Sequence, residues 1–374
     1  MLIYKDASTS FNEGSVISGV NSGAKGTITK VDSAAKTLHL KDVTGTFSVG
    51  EKLKEGLLTS DGTVVQFQTF KNDALSSPLV VDLEGDYIFD RIYVGNLYGN
   101  MYRVDNIGKN MTPVVSTLFT YNNTAPNINP IRAKADFAYA DTYGNIWVYF
   151  GSGIFETQTD KTNSDQQYFF GLKDGPTPAA TYELDDLVTL QAKFDVENID
   201  GENVTFRYID GTNPLAQPWK MQLYDGSFPN GPASVGSERV ISQPLVVGGV
   251  VFFTTFIPDE NICAGSGETW VFALDYQTGL AVNVPVFDIN NDGKWDSNDK
   301  VDSDGDGIKD IFPVAIRVGR GQGSHPVLHK DTLFITVTGD GNDGGGSGSD
   351  DEQFFARKIN LPERKVRVMS WMQN

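Results

Sequence analysis

Three acidic segments carry the clearest chemical signal in the chain. Asp302-Ser303-Asp304-Gly305-Asp306-Gly307-Ile308-Lys309-Asp310 places carboxylates at positions 1, 3, 5 and 9, the Ile308 carbonyl at 7 and glycine at 6. That is the spacing of a calcium loop, in which the glycine permits the sharp turn. Asp288-Ile289-Asn290-Asn291-Asp292-Gly293-Lys294-Trp295-Asp296 fits the same slots. Its ligands would be Asp288, Asn290, Asp292, the Lys294 carbonyl and Asp296, with Asp299 added at position 12. The third, Asp82-Leu83-Glu84-Gly85-Asp86-Tyr87-Ile88-Phe89-Asp90, keeps Asp82, Glu84, Asp86 and Asp90 with the Ile88 carbonyl at 7, but has Tyr87 at 6. A bulky residue is disfavoured at positive φ, so either the turn differs there or strain is tolerated.

Residues 288–310 hold eight Asp against three Lys. Carboxylates at ligand distance repel, so without a cation such loops should open or take up protons. Hard oxygen donors in this number suit calcium (Ca2+) far better than zinc or copper, with magnesium as the competitor. The bland alternative is a solvated acidic turn. No helical periodicity flanks the loops, so they read as calcium staples between strands and not as helix–loop–helix sensors.

Other chemistries lack their parts. His39, His325 and His329 are the histidines, and Pro326 breaks any helix that would align the last two. Cys263 is the single cysteine, so no intrachain disulfide and no cysteine-rich zinc site can form. There is no G-x-S-x-G elbow, P-loop or H-E-x-x-H, and Gly319-Arg320-Gly321-Gln322-Gly323 has the wrong spacing for a dinucleotide. Paired carboxylates for glycoside hydrolysis stay open, because 48 acidic residues offer too many pairs.

The elements that must hold the loops are strands. No amphipathic helix longer than two turns is evident, and an all-β fold is expected. Residues 1–65 contain an internal echo: Phe11-Asn12-Glu13-Gly14 with Gly26-Thr27-Ile28-Thr29, then Phe47-Ser48-Val49-Gly50 with Gly62-Thr63-Val64-Val65. Such a pairing suits a small β-barrel module built from two similar halves. Residues 66–374 read as hairpins with aromatic and Gly-Asn punctuation. Ile92–Asp105, Asp136–Phe150 around Thr142-Tyr143-Gly144, Val250–Asp275 and Thr332–Lys358 are the units. This is how the quinoprotein-like blades of a β-propeller read, with about four blades visible and the ring incomplete. Residues 339–352, GDGNDGGGSGSDDE, form a Gly-rich acidic tract expected to be a solvated loop.

Composition narrows the partners. The 374 residues are 39% apolar and 21% charged, with 30 Lys and Arg against 48 Asp and Glu, a net charge of −18. That field repels phosphate backbones, so nucleic acid is excluded. No apolar run reaches the ~20 residues of a membrane-spanning helix. The opening MLIYKDASTSF lacks the basic start and apolar stretch of a secretory signal.

Several ordered motifs resemble a known family. Ser76-Ser77-Pro78, the loop Asp82–Asp90 and Arg91-Ile92-Tyr93-Val94-Gly95-Asn96-Leu97-Tyr98-Gly99-Asn100 are similar to segments of the PilY/PilC-type proteins of type IV pili. So are Tyr149–Phe155, Gln167–Leu172, Glu238-Arg239-Val240-Ile241-Ser242-Gln243-Pro244-Leu245, Phe253–Pro258, Cys263, Thr269-Trp270 and Val368-Met369-Ser370-Trp371. The resemblance runs over about residues 70–374. It implies the C-terminal propeller of a non-enzymatic pilus biogenesis factor and tip-associated adhesin, working in twitching motility. In that family the loop matching Asp82–Asp90 binds calcium, and its occupancy biases pilus extension against retraction. Pilin or minor pilin subunits and a host or surface receptor are the implied partners. An exported location at the cell surface, pilus tip or outer membrane follows, with this chain as part of a longer precursor. The alternatives are a quinoprotein-type propeller dehydrogenase, which also uses calcium, and a phage-tail or surface binding module resting on residues 1–65.

Overall fold

The computed structural model describes residues 2–5, 11–33, 36–56, 58–67, 74–107, 113–123, 128–140, 145–178, 180–199, 201–259, 267–303, 306–338 and 354–362. The turn 142–144, Cys263, the tract 339–352 and Val368–Trp371 lie outside them. The chain is all-β with almost no helix. Among the described residues the helical elements are the four-residue α1 (Gln158–Lys161) and two 3-10 turns, Leu184–Asp186 and Ser297–Asp299. No described helix is long and apolar enough to cross a membrane. Two compact units divide the chain, residues 1–73 and 74–374.

The first unit is a closed barrel of β1 (Leu2–Lys5), β2 (Val16–Gly19), β3 (Lys25–Asp32), β4 (Thr37–Thr44), β5 (Lys52–Glu55) and β6 (Leu58–Phe67). Around the barrel they run β1-β4-β3-β2-β5-β6. The two F-x-x-G segments make the same bonds. Gly14 N donates to Ile28 O at 2.7 Å and Gly50 N to Val64 O at 2.8 Å, with both glycines at φ +88°. Phe11 and Phe47, Ile17 and Leu53, and Ile28 and Val64 fill matching places in one core. Closure removes the free strand edges that would otherwise invite aggregation. Buried Glu51 ties two turns together by accepting from Asn21 N, Ser22 N, Ser22 Oγ and Ser48 N. Burial works against its charge, yet those donors hold the carboxyl below its ordinary range.

The second unit begins with an antiparallel four-stranded sheet of β7 (Leu79–Val81), β8 (Arg91–Gly95), β9 (Met101–Asp105) and β10 (Val114–Phe119). A ten-stranded sheet follows. It contains β11 (Asp136–Tyr139), β12 (Ile146–Gly151), β13 (Tyr168–Asp174), β14 (Val188–Ile199), β15 (Glu202–Asp210), β16 (Trp219–Gln222), β17 (Leu245–Val247), β18 (Val250–Pro258), β19 (Gly267–Asp275) and β20 (Ala315–Arg320). The order is β11-β12-β13-β16-β14-β15-β20-β19-β18-β17. Last come β21 (Val327–His329), β22 (Thr332–Thr336) and β23 (Phe354–Lys358), in a three-stranded sheet. The sequence suggested separate hairpin blades, and the pairing differs in one place. The long hairpin β14–β15 pairs in parallel with β16 on one side and antiparallel with β20 on the other. It thereby fuses two four-stranded groups into one sheet.

Runs of β-branched and aromatic residues explain the central strands. Every residue of β12 and β18 is buried, as expected for strands covered on both faces. Phe169, Phe253 and Phe272 stack face to face through this core. Gly171 is required where the Trp219 indole crosses β13, since a Cβ there would sit 2.4 Å from the ring.

Where β11 approaches β17, Val246 N donates to Asp136 Oδ2 at 2.8 Å. Burial pushes this carboxyl up to about 6, against the opposing help of the Val246 and Phe137 N–H groups and Lys134. The folded state thus favours the neutral acid. That contribution is complete below the unfolded value of about 4 and is lost as pH rises through about 6. Asp136→Asn keeps an acceptor for Val246 N and removes the ionisation. The variant is expected to melt close to the parent at pH 4 and to be more stable by about 2–3 kcal/mol at pH 8. Parallel melting curves at the two pH values check this.

Candidate metal centre

The loop 82–90 connects β7 to β8, and the loop 302–310 is its counterpart. In the first, Val81 pairs with Arg91 and Asp90 N donates to Val81 O at 3.0 Å. In the second, Val301 bridges Ile311 and Asp310 N donates to Val301 O at 3.0 Å. Each loop is therefore a nine-residue connection whose flanking residues pair antiparallel, with the position-9 amide bonded back to the valine before the loop. The loop 288–299 is anchored by a bridge between Phe287 and Ile359 and by the 3-10 turn Ser297–Asp299.

Inside the loops one pattern recurs three times. The position-1 carboxylate accepts from the position-6 amide: Asp82 from Tyr87 at 2.8 Å, Asp288 from Gly293 at 2.9 Å and Asp302 from Gly307 at 2.7 Å. The position-5 carboxylate accepts from the position-7 amide: Asp86 from Ile88 at 2.9 Å, Asp292 from Lys294 at 2.8 Å and Asp306 from Ile308 at 2.8 Å. Position 2 donates to the closing acid, which is Asp90 for Leu83 and Asp310 for Ser303. In the middle loop that acid is Asp299, which accepts from Ile289 N at 3.0 Å. Asp296, the position-9 candidate, instead caps the 3-10 turn through Asn298 N.

Position 6 needs a left-handed residue in all three. Gly293 and Gly307 have φ +79° and +86°, and Tyr87 adopts φ +69°. The strained alternative is thus the one realised at Tyr87. A side chain in this region costs about 1–2 kcal/mol, so Tyr87→Gly is expected to stabilise the loop by roughly 1 kcal/mol. Calorimetric comparison of the two proteins checks it, and a lower melting temperature for the glycine variant would contradict it.

The donors are all oxygen, which fits a hard cation. Glu84 and Asp86 are exposed, whereas Asp90 and Asp299 are buried. Burial lifts the Asp299 carboxyl, and the nearby Asp288 and Asp292 charges push the same way. A cation would reverse that cost. Among the described residues no three His, Cys, Asp or Glu side chains are already gathered closely enough to hold an ion. The position-1 and position-5 carboxylates are turned onto the amides of their own loops, and Asp304 lies outside the described residues. His39, His325 and His329 join no such group.

Beneath the first loop lies a charged cluster that loop spacing does not reveal. Arg91 and Arg103 both reach Asp174, at 3.2 and 2.7 Å, and both reach Asp105, at 3.1 and 2.7 Å. Tyr93 donates its hydroxyl to Asp174 as well. The available signal was period-2 placement: Arg91 and Tyr93 on β8 stand directly opposite Asp105 and Arg103 on β9. The motif Glu238-Arg239 is likewise structural. Glu238 pairs with Arg207 at 2.6 Å, both fully buried. Arg239 donates to the carbonyls of Ser237, Ile154, Asp160 and Asn163. Burial brings its guanidinium down to about 10, with Asp160 opposing.

No family model matches the chain. A type IV pilus biogenesis factor PilY1 homolog of Xylella fastidiosa is 29% identical over 233 residues, 57% of this chain and 15% of that protein. The type IV pilus biogenesis factor PilY1 of Pseudomonas aeruginosa is 26% identical over 262 residues, 60% of this chain and 22% of that protein. The chain is homologous to the PilY1-type factors over part of its length. The crystal structure of the Pseudomonas aeruginosa PilY1 C-terminal domain superposes with a TM-score of 0.59 at 18% identity. That match covers 92% of this chain and 69% of the PilY1 domain, and it shows a shared fold. The matched stretches make up less than a quarter of the two PilY1-type relatives.

Proposed function

We propose that this chain serves type IV pilus assembly as a non-enzymatic, calcium-ordered module exposed at the cell surface or pilus. The relatives are named as pilus biogenesis factors, which favours this role over a quinoprotein-type dehydrogenase. The carrying observation is the threefold recurrence of one loop geometry, with the position-1 and position-5 carboxylates engaging the amides at 6 and 7. Asp82, Glu84, Asp86, the Ile88 carbonyl and Asp90 would hold one ion. Asp288, Asn290, Asp292, the Lys294 carbonyl and Asp299 would hold a second, with Asp296 kept as the cap. Asp302, Asp304, Asp306, the Ile308 carbonyl and Asp310 would hold a third. A bound ion neutralises the clustered charge and favours the ordered loop. Pilus extension against retraction, and attachment to a surface, would then follow loop order through contacts with pilins or a receptor. The groups β7–β10, β11-β12-β13-β16, β17–β20 and β21–β23 fit blades of a propeller, with β14–β15 as an insertion.

Calorimetric titration with calcium, beside melting curves in calcium, magnesium and chelator, tests the ion. Two or three sites are expected, with stabilisation of about 2.7 kcal/mol at a hundredfold excess over Kd. Asp86, Asp292 and Asp306 replaced singly by Ala should each remove one site. No heat and no shift from a folded sample would reduce the loops to solvated turns. In cells, Asp86→Ala should alter piliation and twitching, and unchanged behaviour with calcium binding lost would sink the regulatory role.

A further inference from the structure

A cleft of about 320 Å³ opens beside the loop 288–299, between that loop, β20 and β23. Its apolar walls come from Phe287, Trp295 and Ile316, and Arg357 and Lys358 stand on its rim. The Trp295 indole N–H is buried without a hydrogen-bond partner. Arg357 spends one N–H on Asn291 Oδ1 at 2.7 Å. Lys358 has no carboxylate partner among the described residues. An aromatic wall with a spare donor thus stands beside two cations, against the single Asp288 carboxylate in the lining, in a chain of net charge −18.

The geometry also limits the size of the ligand. Ile359 N donates to Asp331 O, and pairs alternate along an antiparallel ladder, so Ala356 and Lys358 turn their backbone groups away from β22. Beyond Lys358 that edge is taken, because Asn360 N donates to Val286 O. Too little free edge remains for an extended peptide to add as a strand. A compact ligand fits better, and the volume is at the lower end of the roughly 300–1,000 Å³ of small-molecule pockets.

We propose that this cleft binds a single sugar-acid unit, its carboxylate on Arg357 and its ring against Trp295, with Lys358 adding positive charge from the other face of β23. Guanidinium–carboxylate pairing supplies the charge-assisted bonds, and the tryptophan presents an apolar face with a polar edge. The cleft shares Asp288, Asn291, Gly293 and Trp295 with the loop 288–299, but the proposed carboxylate contact and ring contact use none of the proposed cation ligands.

Intrinsic fluorescence and calorimetric titration of the full chain with glucuronate, glucose and benzoate test the assignment. Of the five tryptophans, Trp147, Trp219 and Trp270 are almost fully buried and Trp371 lies outside the described residues, so Trp295→Phe assigns the response: a signal from this cleft should vanish in that variant. Glucuronate is expected to bind with Kd of about 1 mM, with glucose and benzoate each at least tenfold weaker. Arg357→Gln should weaken glucuronate about tenfold, and Lys358→Gln by a smaller factor with unchanged melting temperature. Lys358→Gln is the safer variant, since it breaks no observed contact. Titrations run both with calcium and with chelator separate this site from the loops. Binding in either buffer with those losses supports the proposal. No binding in both, equal binding of glucose, tighter binding of benzoate, or indifference to both variants overturns it.

Discussion

Replacing Asp174 by alanine is expected to destabilise the 74–374 unit by about 3–5 kcal/mol. Arg91, Arg103 and Asp174 are each at most 3% exposed in their side chains. Two guanidinium groups would be left to share Asp105, which is itself only partly buried, and the Tyr93 hydroxyl would lose its acceptor. Breaking a buried pair costs more than the pair contributes, because the remaining charge stays desolvated. For a unit of this size the melting temperature should fall by roughly 10 °C. Arg132→Ala serves as the control, since its pair with Glu156 is open to solvent and should move stability by less than about 1 kcal/mol. Because Arg91 directly follows Asp90, Asp174→Ala should also blunt any calcium response of the first loop. Melting indistinguishable from the parent would show that the cluster is not the lock described.

Glu238→Ala should be nearly as damaging, at about 4 kcal/mol. Glu238 accepts from Arg207, from Tyr224 N at 2.8 Å and from the Thr255 hydroxyl. Arg207 lies 4.0 Å from the Phe194 ring centroid and 4.9 Å from that of Phe272, so its charge cannot reach water once the carboxylate is gone. The double variant Arg207→Met with Glu238→Leu removes both charges and should recover most of the loss. Buried ion pairs exchanged for apolar groups of similar volume are often neutral. A double variant as unstable as Glu238→Ala alone would mean that the bonds to Tyr224 and Thr255 matter more than the charge.

Local chemistry was open to reading from residue types and spacing. The β class follows from β-branched and aromatic runs such as Ile146–Phe150 and Val250–Phe256, which carry their preference within a few residues. The acidic loops were equally legible, because acidic residues at alternate positions and a turn residue at position 6 are short-range features. Tyr87 marks the limit of that reasoning: residue type showed a conflict at position 6, and only the backbone angle resolved it. Asp296 and Asp299 mark it again. Spacing offered both as ligands, and the 3-10 turn made Asp296 a cap.

Residue types and spacing alone settled the all-β class and the position and sequence of the loops. Tertiary structure decided the partners. Asp174 meets Arg91 across 83 residues of chain, and Glu238 meets Arg207 across 31. The hairpin β14–β15 joins two groups of strands that read as separate units. Such pairings are set by register and by what lies on the other side of a sheet, at separations where residue types carry no record of their partners. Preferences that act within a few residues are written in the sequence, whereas contacts between distant strands exist only once the chain is folded.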